Sequence, residues 1–172
     1  MKRILFYILI VGQLVVILFL CFQFENIDQT GHVIKIQTSR PEFPVYGDYI
    51  DGDLYVEYEI SKIAEDKWRE TLPIDYNTRV YVLLEKDKTG IYRVQKASTK
   101  KIDAKQENEF VLLGRYQYHD TKHHEIYIHY GVEKIKHADQ FGLFTPKDEL
   151  VITLLIGKWG QHKVVSIEKG DS

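Results

Sequence analysis

The sequence predicts an all-β domain, an antiparallel sandwich or small barrel built from hairpins, preceded by one N-terminal transmembrane helix. Three observations carry that reading. Residues 4–24 (ILFYILIVGQLVVILFLCFQF) hold no charge. Residues 54–61 (LYVEYEIS) alternate apolar and polar positions without a break, the pattern of a strand with one buried face. Turn residues punctuate the rest at the spacing of a sandwich or barrel.

The apolar stretch comes first in the chain. At about 1.5 Å rise per residue, a helix of that length spans about 30 Å, the thickness of a bilayer's hydrocarbon core. Lys2 and Arg3 precede it and Glu25 and Asp28 follow. That asymmetry places the N-terminus in the cytosol and the remainder outside. A removable signal peptide fits less well. The run is longer than a usual apolar region, and Phe22, Gln23 and Phe24 after Cys21 are too bulky for a cleavage pocket. Leu20 stands where a lipoprotein needs a small residue. The expected division is therefore 1–25 as cytosolic stub and anchor, and 26–172 as an extracytoplasmic β domain. Gly12 and Gln13 mark the middle of the anchor, where a small residue and an amide suit contact with another helix.

Residues 25–31 form a polar spacer. A first strand is expected over 32–38 (HVIKIQT), then a rigid link over 39–44 (SRPEFP), because two prolines disfavour a central strand. A turn-rich block, 46–53, leads into the alternating strand 54–61. Residues 62–71 (KIAEDKWRET) have helical composition and read as a short helix or turn. Strands over 79–85 and 91–97 flank a turn in which Gly90 supplies positive φ. Residues 110–118 and 125–130 form a second hairpin around 119–124. Residues 149–156 and 162–167 form a third.

The composition narrows the function. The net charge is −2, which gives no electrostatic footprint for nucleic acid. The single cysteine lies in the anchor, so an intramolecular disulfide is impossible. No phosphate loop, nucleotide fingerprint or paired-cysteine motif is present. The sequence assigns no cofactor, catalytic residue or metal site.

Gly47, Asp48 and Tyr49, followed by Leu54 and Tyr58, resemble the signature of the GDYXXLXY family of bacterial proteins, with residues 50–53 inserted. The likeness continues through Val80 to Glu85, Gly90 and Tyr92, through Leu113-Gly114-Arg115, and through Tyr130-Gly131-Val132-Glu133-Lys134. The resemblance implies a single-pass protein of the bacterial cytoplasmic membrane with a β domain outside. It implies a binding or accessory role beside a polytopic membrane protein, the lipid bilayer being the other partner. Gly47, Asp48, Tyr49, Tyr58, Tyr130, Gly131 and Glu133 are the candidate binding residues on that basis. Read physically, Gly47 permits a tight turn, Asp48 can accept from amides downstream, and Tyr49 buries a ring with its hydroxyl at the rim.

Two chemical alternatives stand beside this. An anchor followed by Ser39 and prolines is similar to membrane-anchored signal peptidases, with Lys96 as the candidate base; the Ser-Met-x-Pro pattern is missing. His119, His123, His124 and His129 cluster around one hairpin and could form a metal-binding module, although His124 and His129 fall on opposite strand faces. Glu57 and Glu59 share a face as a paired-acid arrangement would, but exposed acids alternating with core residues are the simpler explanation. Lys100, Lys101 and Lys105 read as a solvated basic loop.

Overall fold

The computed structural model describes residues 2–25, 31–42, 53–136, 140, 149–157 and 161–170, with the side chains of residues 6–22 described in the helix and those of 39–42 outside the description. The chain divides into two compact units. One comprises Met1–Val33 and Leu155–Lys163, the other Ile34–Leu154 and Val164–Ser172.

The first unit contains helix α1, Lys2–Glu25, of 24 residues. Leucines favour the helix, and its apolar residues surround the axis rather than forming a stripe. Every described side chain from Phe6 to Phe22 is exposed. Among the described residues no helix is long and apolar enough to cross a membrane. The expected transmembrane segment is therefore met here as a helix only.

The strands are β1 (His32–Glu42), β2 (Leu54–Tyr58), β3 (Lys62–Ala64), β4 (Arg79–Lys86), β5 (Tyr92–Ser98), β6 (Glu109–Asp120), β7 (Glu125–His129), β8 (Lys134–Ile135), β9 (Leu150–Ile156) and β10 (His162–Lys169). They form two five-stranded antiparallel sheets, in the order β10-β9-β1-β2-β8 and β3-β7-β6-β4-β5. The second sheet is one uninterrupted piece of chain, inserted between the paired strands β2 and β8.

Alternation builds the core of the larger unit. In β2, Leu54, Val56 and Tyr58 are buried, and Ile60 continues the same face beyond the strand. Val80, Val82 and Leu84 bury one face of β4 while Leu83 is buried on the other. Ile34, Ile36, Leu150, Ile152 and Leu154 are fully buried in the first sheet. Apolar burial at about 25 cal/mol per Å² is the main stabilising term for such a core.

Four expectations need correction. The 39–44 link is strand as far as Glu42, because a register shift between Thr38 and Arg40 lets the ladder accommodate Pro41. The strand expected over 54–61 stops at Tyr58, where a 3₁₀ turn, Glu59–Ser61, carries the chain into the second sheet. The helix or turn expected over 62–71 is strand β3 followed by a 3₁₀ turn, Glu65–Lys67. Its charged residues did not reveal that Ile63 is fully buried, nor that Ile63 pairs with Ile126. Strand β8 was not expected at all; two residues are too short to show a period. Gly90 adopts φ 89° as expected, with Asp87 Oδ1 accepting from the backbone N–H of Thr89 and Ile91.

Candidate functional site

The chain leaves the first sheet after Tyr58 and rejoins it at Lys134. The two crossings meet and exchange tyrosines. Tyr58, fully buried, donates its hydroxyl to the Val132 carbonyl at 2.9 Å. Tyr130 donates its hydroxyl to the Ile60 carbonyl at 2.6 Å. Each crossing thus satisfies a backbone acceptor of the other, where an orphaned carbonyl would be costly.

Local sequence shapes this lock. Gly131, at φ 80°, supplies the left-handed residue that turns Tyr130 away from Val132. The Glu133 carbonyl accepts from the Val56 N–H at 2.9 Å. Glu133 Oε1 accepts from the Tyr130 N–H, and its Oε2 lies 3.1 Å from His129 Nε2 without hydrogen-bond alignment. Burial, reinforced by the Glu133 charge, pushes both the Tyr58 and Tyr130 phenols well above the ordinary tyrosine range. Gly114 on β6 makes room for the lock. A Cβ there would lie 2.3 Å from Ile128 Cγ2 and 3.0 Å from Tyr130 Cδ1.

Beside the lock is an open groove of about 320 Å³, lined by Tyr55, Val56, Glu57, Ser61, Gln117, Tyr118, Tyr127, Ile128, His129 and Glu133. Tyr118 and Tyr127 are cross-strand partners whose rings stack, with centroids 4.4 Å apart and planes 14° apart. Lys62 Nζ sits 5.7 Å from the Tyr127 ring centre and 2.9 Å from Glu57 Oε2. Burial, with the neighbouring Tyr118, Glu125 and Glu57, pushes the Tyr127 phenol up to about 12. Tyr118 remains half exposed, so its ring is offered to the groove. Ser61 Oγ is buried without a hydrogen-bond partner. Aromatic faces beside a few polar atoms suit a ligand with an apolar surface and hydrogen-bonding groups.

Of the seven candidate residues, Tyr58, Tyr130, Gly131 and Glu133 converge on the lock, and Glu133 also reaches the groove. Gly47, Asp48 and Tyr49 lie outside the described residues. Tyr55, Ser61, Tyr118 and Tyr127 were missed. The signal was available in part: Tyr118 and Tyr127 occupy the two arms of one expected hairpin. Their pairing depends on the register shift between Tyr116 and Tyr118, which no period reveals.

The histidines are distributed among carboxylates. His119 Nε2 pairs with Glu65 Oε1, and His124 Nδ1 lies 3.1 Å from Glu65 Oε2. His123 Nδ1 lies 2.7 Å from Asp120 Oδ2. Among the described residues no group of three or more His, Cys, Asp or Glu side chains could hold a metal ion. Glu57 pairs with Lys62 and Glu59 with Arg93, so those two acids serve separate ion pairs. The side chain of Ser39 is outside the description. Lys96 is half-buried on β5, an edge strand of the second sheet.

Residues 13–165 match the GDYXXLXY protein family. The chain belongs to the GDYXXLXY family. The match begins inside α1 and runs into β10, so it spans the lock and the groove. No curated protein matches the chain, and no solved structure does. Several stretches that carried the family resemblance have structural work in this GDYXXLXY protein: Tyr58 and the 130–133 turn form the lock, Gly114 clears space for it, and Gly90 turns the β4–β5 hairpin.

Proposed function

We propose that this GDYXXLXY protein is held in the bacterial cytoplasmic membrane by α1, with its N-terminus cytosolic and its β domain outside, where it acts as a binding or accessory subunit of a polytopic membrane protein. The observation that supports the anchor is the apolar circumference of α1, exposed at every described side chain from Phe6 to Phe22. A helix that is hydrophobic all round belongs in a core or a membrane. Left in water, that surface would cost on the order of 10–20 kcal/mol, taking about 1.5–3 kcal/mol per apolar side chain and discounting for partial exposure. The residues on either side extend the uncharged stretch to 4–24, long enough to span. The Tyr118–Tyr127 groove supports a binding role for the domain.

Alkaline extraction of membranes, followed by protease treatment of intact spheroplasts, tests the placement. The full-length chain is expected in the membrane pellet, with its β domain digested from outside. Release by alkali, a mature N-terminus downstream of Phe24, or a protected β domain would overturn it. Crosslinked capture in mild detergent tests the accessory role, with the same polytopic protein expected each time. Recovery of the chain alone would count against that role.

A further inference from the structure

We propose that a second, basic hollow on the β domain binds a multivalent phosphate-bearing anion. This hollow, of about 440 Å³, is separate from the tyrosine groove in its lining residues. Arg69, Lys96, Lys100, Lys101 and Lys105 line it together with only two carboxylates, Glu70 and Asp103. Such segregation is unexpected in a chain whose net charge is −2.

Neither carboxylate neutralises most of these cations. Glu70 is held by the loop itself: its Oε1 accepts from the Ser98 hydroxyl and its Oε2 from the Thr99 N–H at 3.2 Å. Asp103 pairs with Lys101 at 3.1 Å. Among the described residues, Arg69, Lys96, Lys100 and Lys105 have no ion-pair partner. Unpaired like charges around one small hollow repel one another, and a bound polyanion relieves that repulsion.

The walls are fixed before any ligand arrives. Trp68 bridges to Ala97, which brings Arg69 beside β5. The Lys100 N–H donates to Ser98 Oγ at 2.9 Å, and Glu109 Oε2 accepts the Lys105 N–H at 2.6 Å. Both ends of the 99–108 connection are thereby tied down, which lowers the ordering cost of binding. The cations are mostly lysines, point charges that can meet phosphate oxygens from several directions, with the Arg69 fork beside them. The phosphate could be soluble or a lipid headgroup.

Calorimetric titration of the full chain in neutral detergent, at fixed ionic strength, tests this. The titrants are sodium tripolyphosphate and, separately, micelles doped with cardiolipin, whose headgroup carries two phosphates. Saturable binding is expected, weakened at least tenfold in a Lys96→Gln/Lys100→Gln variant. A Lys88→Gln/Lys122→Gln variant, with the same change in net charge elsewhere, should keep its affinity. Binding of tripolyphosphate alone assigns a soluble ligand; binding of the doped micelles, with or without tripolyphosphate, assigns the headgroup; either supports the site. Absence of binding to both titrants, or equal weakening in the two variants, would overturn it.

Discussion

Replacing Tyr58 by Phe removes one hydroxyl and leaves the shape of the core unchanged. The ring is fully buried, and its hydroxyl is 2.9 Å from the Val132 carbonyl. Losing such a bond costs about 1 kcal/mol, and stranding the buried carbonyl raises the expected penalty to about 2 kcal/mol. For a chain of 172 residues, each kcal/mol shifts the midpoint by about 2–4 °C, so Tm should fall by about 4–8 °C. Thermal unfolding followed by near-UV circular dichroism in detergent measures it. Tyr76→Phe, at a residue 72% exposed, serves as the control and should stay within about 0.5 kcal/mol of wild type. Adding Tyr130→Phe to Tyr58→Phe should show a coupling of at least about 0.5 kcal/mol if the two crossings act together. A Tyr58→Phe variant as stable as the Tyr76→Phe control would refute the lock.

Gly114→Ala should destabilise the domain by about 1–3 kcal/mol, as overpacking does, because the new methyl meets Ile128 and Tyr130; urea unfolding checks this, and an unchanged midpoint would show that Ile128 yields freely. The exposed His123–Asp120 pair sets a pH window. The Asp120 bond raises the His123 pKa and lowers that of Asp120, so the histidine's contribution is complete below the ordinary histidine pKa and fades as pH rises through the higher folded value. The aspartate's contribution is complete above the ordinary carboxylate pKa and fades as pH falls through its depressed one. NMR titration should return His123 to the ordinary range in Asp120→Asn.

The strands whose sidedness could be read were those with one wet face. Leu54, Val56, Tyr58 and Ile60 announced a buried face, and the structure buries all four. What stayed hidden was where that face changes sheets, since Ile60 keeps the alternation while the backbone has already entered a 3₁₀ turn. The candidate site residues were legible only as a family likeness. Tyr130 and Gly131 stood among the candidate binding residues, and the structure shows the tyrosine hydroxyl bonded to the Ile60 carbonyl and the glycine making a turn. The basic hollow could not be read because Arg69 and Lys96 are distant in sequence from residues 100–105, and a bridge between Trp68 and Ala97 gathers them.

Strands β3 to β7 follow one another without a break, and the chain on either side closes into the β2–β8 pair. Most pairings of the inner sheet join strands close in sequence, whereas the outer sheet also needs β9 with β1 and β2 with β8, segments far apart along the chain. Closing the insertion at its base carries the larger loop-closure cost, and Tyr58→Phe or Tyr130→Phe is expected to speed unfolding more than it slows folding.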